Sequence, residues 1–282
     1  MFIHNINPVL LSIGPLSIKY YGLVYAIGFL AAYFLLRWVA KNDKIKNLTT
    51  EKADTLTIYL VLGAIIGARF LLFVFYHPGT LISDPLEVFR IWHGGMSFHG
   101  GMIGAVIAGL LFCKKHKVSF YQLADLLVIP TAFFLFIGRI ANFINGELVG
   151  IVAKSNFCID YSQSQYIVNP PQGCRVPSQL YESAKNLLIF FTLSILYTKK
   201  KLKDGVLFWL FVTMYGVLRF IINFWRENLS NYFGLSGGQF WSLIMAILGI
   251  VMLIVMHVKK KPVQQPVRRM STNKVLKRKN NK

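Results

Sequence analysis

Four polar side chains crowd the end of an apolar run in GRIANFINGELVG, residues 138–150: Arg139, Asn142, Asn145 and Glu147. Just upstream lies LADLLVIPTAFFLFI, a stretch that reads as lipid-buried. A charge there costs at least ~2.5–3.5 kcal/mol on insertion scales, so it marks a site and calls for a partner. Two more arginines sit in apolar surroundings, Arg69 in GARF and Arg219 in FVTMYGVLRFIINFW. Asp125 lies at the far end of its own apolar stretch, whereas Glu182 opens a later stretch on the matching side and can reach them. A buried cluster of positive charge wants an anion, and the anion native to membranes is a lipid phosphate. Arginine suits that partner because its planar fork binds phosphate bidentately and stays protonated.

A second polar feature is GGMSFHGGMIG, residues 94–104. His99, beside Ser97 at the start of an apolar stretch, has the right chemistry for a general base near neutral pH. The helix-start N–H groups there can hold an anion. Gly100, Gly101 and Gly104 have the small-residue spacing that lets helices approach closely. In KYYGLVY, Tyr21 and Tyr25 are four apart and share one helix face, though tyrosines at a span end also form an ordinary interfacial belt. Lys19 and Lys185 suit snorkelling to an interface. At ~100° per residue Asn142 lies about 60° from Arg139 on a helix. Asn145-Gly146 is a natural breaking point, which leaves Glu147 and Gly150 just outside the span.

The elements that position these groups follow from composition. The chain has 282 residues, is 55% hydrophobic, and carries 31 Lys+Arg against 11 Asp+Glu, a combination that points to an integral membrane protein. Spans of about 20 apolar residues are predicted at 17–38, 55–76, 97–113, 121–143, 180–198, 205–225 and 238–257, an all-α polytopic bundle with a small outward head segment at 144–179. The basic residues gather at 37–52, KKHK 114–117, KKKLK 199–203 and the tail from Lys259, which together hold 22 of the 31. These blocks occupy every second loop, so the positive-inside rule puts them and the C-terminus in the cytoplasm and the N-terminus outside. Residues 1–257 form one membrane unit, and 258–282 is a basic tail of disordered composition near anionic headgroups. The tail lacks the interleaved aromatics of a single-strand nucleic-acid binder, so no nucleic acid is expected as a partner. MFIHNINPVLLSIGP lacks a basic start and an A-x-A exit, and is expected to lie on the surface rather than to be cleaved. Cys113 ends a span as packing. Cys158 and Cys174 share the outward segment, either as a disulfide or as two unrelated thiols.

GRIANFINGELVG resembles the signature of bacterial prolipoprotein diacylglyceryl transferases, and GGMSFHGGMIG is similar to that family's second motif. YYGLVYAIGF, GARF and PSQLYE also match in order, so the resemblance runs from about residue 8 to 257. It implies a seven-helix inner-membrane protein whose site faces the periplasm. It also implies transfer of the diacylglyceryl group of phosphatidylglycerol to the lipobox cysteine of a preprolipoprotein, forming a thioether and releasing glycerol phosphate. By the same resemblance His99 is the candidate base, Arg139 holds the lipid phosphate, and Arg219 assists its departure, with Tyr21 beside them. Asn142, Asn145, Glu147 and Gly150 shape the headgroup pocket, and Arg69, Gly100, Gly101 and Gly104 join the lipid-binding wall. No metal or other cofactor is implied. Two positions depart from the family pattern: Asn223 stands where a glutamate usually follows the sixth-span arginine, and Val176 stands where a histidine usually precedes PSQLYE. Asn223→Glu is therefore expected to be tolerated.

Two other classes suit arginines in a helical bundle. An anion transporter needs discontinuous spans and a water path reaching both sides, whereas the polar residues here gather at one end. A catalytically silent lipid-binding scaffold is kept open by Asn223.

Overall fold

The computed structural model describes residues 1–14, 16–90, 95–153, 157–199, 202–227, 231–232 and 234–258. The basic tail expected to be disordered lies, from residue 259 on, outside the described residues. Eight α-helices are described: α1 Tyr20–Lys41, α2 Thr50–Tyr76, the short α3 Pro78–Ser83, α4 Phe98–His116, α5 Phe120–Asn145, α6 Ser178–Lys199, α7 Val206–Ile222 and α8 Gly237–Val258. Five of them, α1, α2, α5, α7 and α8, are long and apolar enough to cross a membrane.

Local chemistry sets the helix ends. The side chains of Thr49, Ser97 and Ser119 accept the backbone N–H groups of Lys52, Gly100 and Gln122, capping α2, α4 and α5. Gly146 ends α5 in the left-handed region at φ 66°, and an added Cβ would lie 2.1 Å from Ile167 Cδ1, so only glycine fits the turn.

Two kinds of packing hold the bundle. At the end that gathers the basic blocks, Leu36, Val39, Leu56, Phe112 and Leu123 close one apolar core, and Asn47 bonds the Lys117 carbonyl. The Asp125 carboxylate, on α5, accepts the N–H groups of Gly205 and Phe208 at 2.6 and 2.7 Å and so caps α7 from a neighbouring helix. Elsewhere small residues let backbones meet. A Cβ on Gly104 would lie 2.0 Å from the Gly63 carbonyl oxygen, and one on Gly100 would lie 2.4 Å from that of Gly67. Gly216 and Gly249 bring α7 and α8 together in the same way.

The opposite end carries short strands. β1 (Phe2–Ile3), β4 (Ile159–Asp160) and β5 (Cys174–Arg175) form a three-stranded sheet, and a disulfide joins Cys158 to Cys174 across it. β2 (Val9–Ile13) and β3 (Leu16–Lys19) pair as a hairpin leading into α1, and β6 (Asn231–Tyr232) and β7 (Leu235–Ser236) pair before α8. The all-α expectation is corrected here, because the segments flanking the spans satisfy their backbone groups by pairing with one another. His4 and Tyr161 are fully buried in this head, ring centroids 4.8 Å apart.

Candidate functional site

The stretch at the end of α5 folds into one chain of hydrogen bonds. Arg139 donates from Nη1 to Asn142 Oδ1 at 3.2 Å, Asn142 donates to Glu147 Oε2 at 3.4 Å, and Asn145 donates to Glu147 Oε1 at 2.7 Å. The turn at Gly146 makes this possible, since it swings Glu147 back over the helix end, where its N–H reaches the Asn142 carbonyl. The PSQLYE segment then fastens the turn from α6: Ser178 Oγ donates to the Leu148 carbonyl and Gln179 Nε2 to that of Glu147.

Glu182, the last residue of that segment, is the hub. Its carboxylate is 1% exposed and faces three cations from three helices. Arg219 of α7 donates to Oε1, Lys185 of α6 donates to Oε2 at 2.8 Å, and Arg139 Nε of α5 stands 3.8 Å from Oε2. The Arg139 and Arg219 side chains keep 14% and 15% of their surface accessible, against 1% for Lys185. Beyond α7, burial first and then repulsion from Arg219 and Arg139 hold the Arg226 guanidinium down to about 10. Tyr25 lies within electrostatic reach of Arg139, and Tyr21 donates to the Tyr25 hydroxyl at 3.2 Å. The result is a cationic cluster at the head end, with amides and phenols beside it.

The expected residues do not all come together there. Arg139, Asn142, Asn145 and Glu147 do, and Arg219 joins them through Glu182. Arg69 stands apart: it is 2% exposed, donates to the carbonyls of Glu87, Val88, Arg90 and Gly95, and pairs with Glu87 at 3.6 Å, clasping residues 87–90 and Gly95. Gly100 and Gly104 have their missing Cβ atoms facing α2, and Gly101 faces Ala64 and Ala68 of that helix. Gly150 acts through its backbone. A Cβ there would lie 2.4 Å from the Val176 carbonyl and 2.6 Å from that of Trp225, so the glycine lets the loop bridge to Arg226. His99 belongs to α4, but its side chain lies outside the described residues.

Lys185, expected to snorkel, is instead 4% exposed, with Nζ 3.9 Å from the centroid of the Tyr215 ring. Lys185, Tyr215 and Arg226 were not legible as site residues. The available signals were the Glu182–Lys185 spacing of three, which puts acid and base on one helix face, and Tyr215 four residues before Arg219.

The family profile described as prolipoprotein diacylglyceryl transferase matches residues 8–255. Among similar proteins, the phosphatidylglycerol–prolipoprotein diacylglyceryl transferase of Ehrlichia ruminantium (strain Gardel) is 41% identical over 259 residues, 88% of this chain and 96% of its own. The protein of the same name from Bordetella avium is 38% identical over 253 residues, 88% and 94% of the two chains. That from Rhodospirillum rubrum is 35% identical over 268 residues, 93% and 96%. With the profile spanning nearly the whole described bundle, the chain belongs to the prolipoprotein diacylglyceryl transferase family.

Proposed function

We propose that this protein transfers the diacylglyceryl group of phosphatidylglycerol to the lipobox cysteine thiol of preprolipoproteins, the first step of lipoprotein maturation. The observation that carries the chemistry is the pair of partly accessible arginines, Arg139 and Arg219, gathered on one buried carboxylate. In the reaction the cysteine sulfur forms a bond to the terminal glyceryl carbon, the carbon–oxygen bond to phosphate breaks, and glycerol phosphate leaves with the electron pair. The thiol must lose its proton first, since the thiolate is the nucleophile. His99 is assigned as the base, directly or through water, and Tyr21 helps to shape the headgroup pocket. Arg139 holds the phosphodiester, and Arg219 meets the charge that grows on the departing phosphate, where preorganised donors in a dry site act most strongly. Asn142, Asn145 and Glu147 orient the headgroup and stiffen Arg139, and Gly150 sets the loop over them.

Residues 1–257 act as one unit in this reading, with α4 and α6 completing seven spans. The head lies in the periplasm, and the basic end and the tail lie in the cytoplasm of a bacterial inner membrane. The gathering of the basic blocks at one end supports that orientation. The gathering of the site's polar residues at one end argues against an anion transporter.

Purified protein incubated with phosphatidylglycerol and a lipobox peptide is expected to yield a thioether-linked diacylglyceryl peptide, detected by mass. His99→Ala and Arg139→Ala should abolish it while leaving insertion intact. No thioether product where a relative works would sink the assignment, and near-normal turnover by Arg139→Ala would remove its phosphate-holding role.

A further inference from the structure

Lys185 carries a charge that does not reach solvent. Its side chain is 1% exposed, one donor goes to Glu182 Oε2, and the Tyr215 ring lies against its ammonium at 3.9 Å. Burying an ammonium is costly even when paired, so what its partner does matters. Glu182 has two oxygens and three cationic neighbours. Arg219 takes Oε1, whereas Oε2 lies between Lys185 at 2.8 Å and Arg139 Nε at 3.8 Å. A hydrogen bond at the shorter distance holds the carboxylate toward Lys185. Arg139 is left at ion-pair range, with Nη1 on Asn142 and 14% of its side chain accessible. Without the ammonium, nothing at Oε2 competes with the guanidinium. The preferred arrangement of carboxylate and guanidinium is then the close fork-to-fork pair, which would fold Arg139 back into the protein.

We propose that Lys185 is a positioning residue: it holds Glu182 off Arg139, so that the Arg139 guanidinium is free to take the lipid phosphate. This rests on the assignment of Arg139 as the phosphate holder. Lys185 acts on that residue through Glu182 and touches no substrate.

The test is phosphatidylglycerol binding without acceptor peptide, in nanodiscs of zwitterionic lipid with a rising fraction of phosphatidylglycerol, alongside kcat at saturating lipid. Losing one charge-assisted contact is expected to weaken binding to Lys185→Met by about tenfold, with kcat changed by less than about threefold, and Lys185→Arg should bind within about threefold of the native chain. In a Glu182→Gln background the neutral amide cannot form the fork-to-fork ion pair with Arg139, so Lys185→Met should then change binding less than about twofold. A tenfold loss in both backgrounds means that Lys185 acts directly through its charge and overturns the proposal, as does unchanged binding in the native background. Should Lys185→Met fail to fold, Lys185→Gln replaces it. That variant keeps a weaker donor, so a smaller loss is expected, again confined to the native background, and no loss in either overturns the proposal. Arg139→Ala, measured in parallel, separates the two levels. If it binds normally, the phosphate assignment falls and this proposal with it; if it binds poorly while Lys185→Met binds normally, only the role of Lys185 falls.

Discussion

Arg219 of α7 donates directly to Glu182 of α6, a pair thirty-seven positions apart in sequence that ties two helices at the head end. With Glu182 almost wholly buried, removing its side chain strands Arg219 and Lys185 together. Breaking a buried pair from one side costs about 3–5 kcal/mol. Glu182→Ala is therefore expected to lower the thermal midpoint in detergent sharply, and Glu182→Gln, which keeps shape and an acceptor, to lower it less. An alanine variant that melts with the native protein would show that the carboxylate does not join the helices.

Asn223 is 2% exposed, donates to Ser236 Oγ, and packs so closely on Gly238 that a Cβ there would lie 2.7 Å from its Oδ1. The family-like change Asn223→Glu, expected from sequence to be tolerated, places a longer carboxylate in this closed space and removes the amide donor. Overpacking a filled site costs roughly 1–3 kcal/mol, so the variant is expected to be less stable and no more active. Differential scanning fluorimetry and turnover read this together, and a stable, faster variant would show that the pocket can open toward Arg219.

Gly104 has a Gly63 carbonyl oxygen 2.0 Å from where a Cβ would sit. Gly104→Ala must push α2 and α4 apart, a small-to-large change expected to cost about 1–3 kcal/mol. Because the contact joins α2 to α4 rather than the helices that carry Arg139, Glu182 and Arg219, the loss should appear in the melting midpoint and detergent half-life, with lipid affinity of the surviving protein unchanged. Gly101→Ala, whose Cβ would meet Ala64 O at 3.4 Å, is expected to be far milder and serves as the control.

Cys158 and Cys174 are sixteen positions apart, and their bridge closes the head loop beside Arg175, which pairs with Glu227 at 3.2 Å. Opening a ring of that size is expected to remove about 3 kcal/mol of chain-entropy stabilisation. Cys158→Ser with Cys174→Ser should make the 157–175 segment the first site of limited proteolysis. Cleavage at the same rate in both proteins would mean that sheet pairing alone holds the head.

The helices were legible because lipid solvation writes a simple rule: each of the seven apolar runs coincides with a helix, with ends shifted by a few residues where a cap lay outside the run. Thr49, for example, starts α2 well before the apolar run at 55. The hairpin of β2 and β3 was not legible, since VLLSI is too uniformly apolar to show a period of two and LSIK, though alternating, is only four residues long. In the site, Arg139 and its amides stood out because polarity is costly there. Lys185 did not, because a lysine seven positions into a helix looks the same in sequence whether it reaches an interface or turns inward to Glu182. The clasp made by Arg69 was not legible either. Its partners are backbone carbonyls, and every segment has those.

The contact between Asp125 and the start of α7 has a consequence at the far end of the bundle. Arg139 lies fourteen residues along α5 from Asp125, about 21 Å, and Arg219 lies eleven residues along α7 from Phe208, about 16 Å. The two Asp125 oxygens are matched to two particular amides, those of Gly205 and Phe208. A slip of α7 by a single residue would shift Arg219 by about 1.5 Å and turn it by about 100°. Asp125 therefore works as the zero mark of a ruler: the spacing of two arginines on one face of the membrane is gauged from a carboxylate on the other.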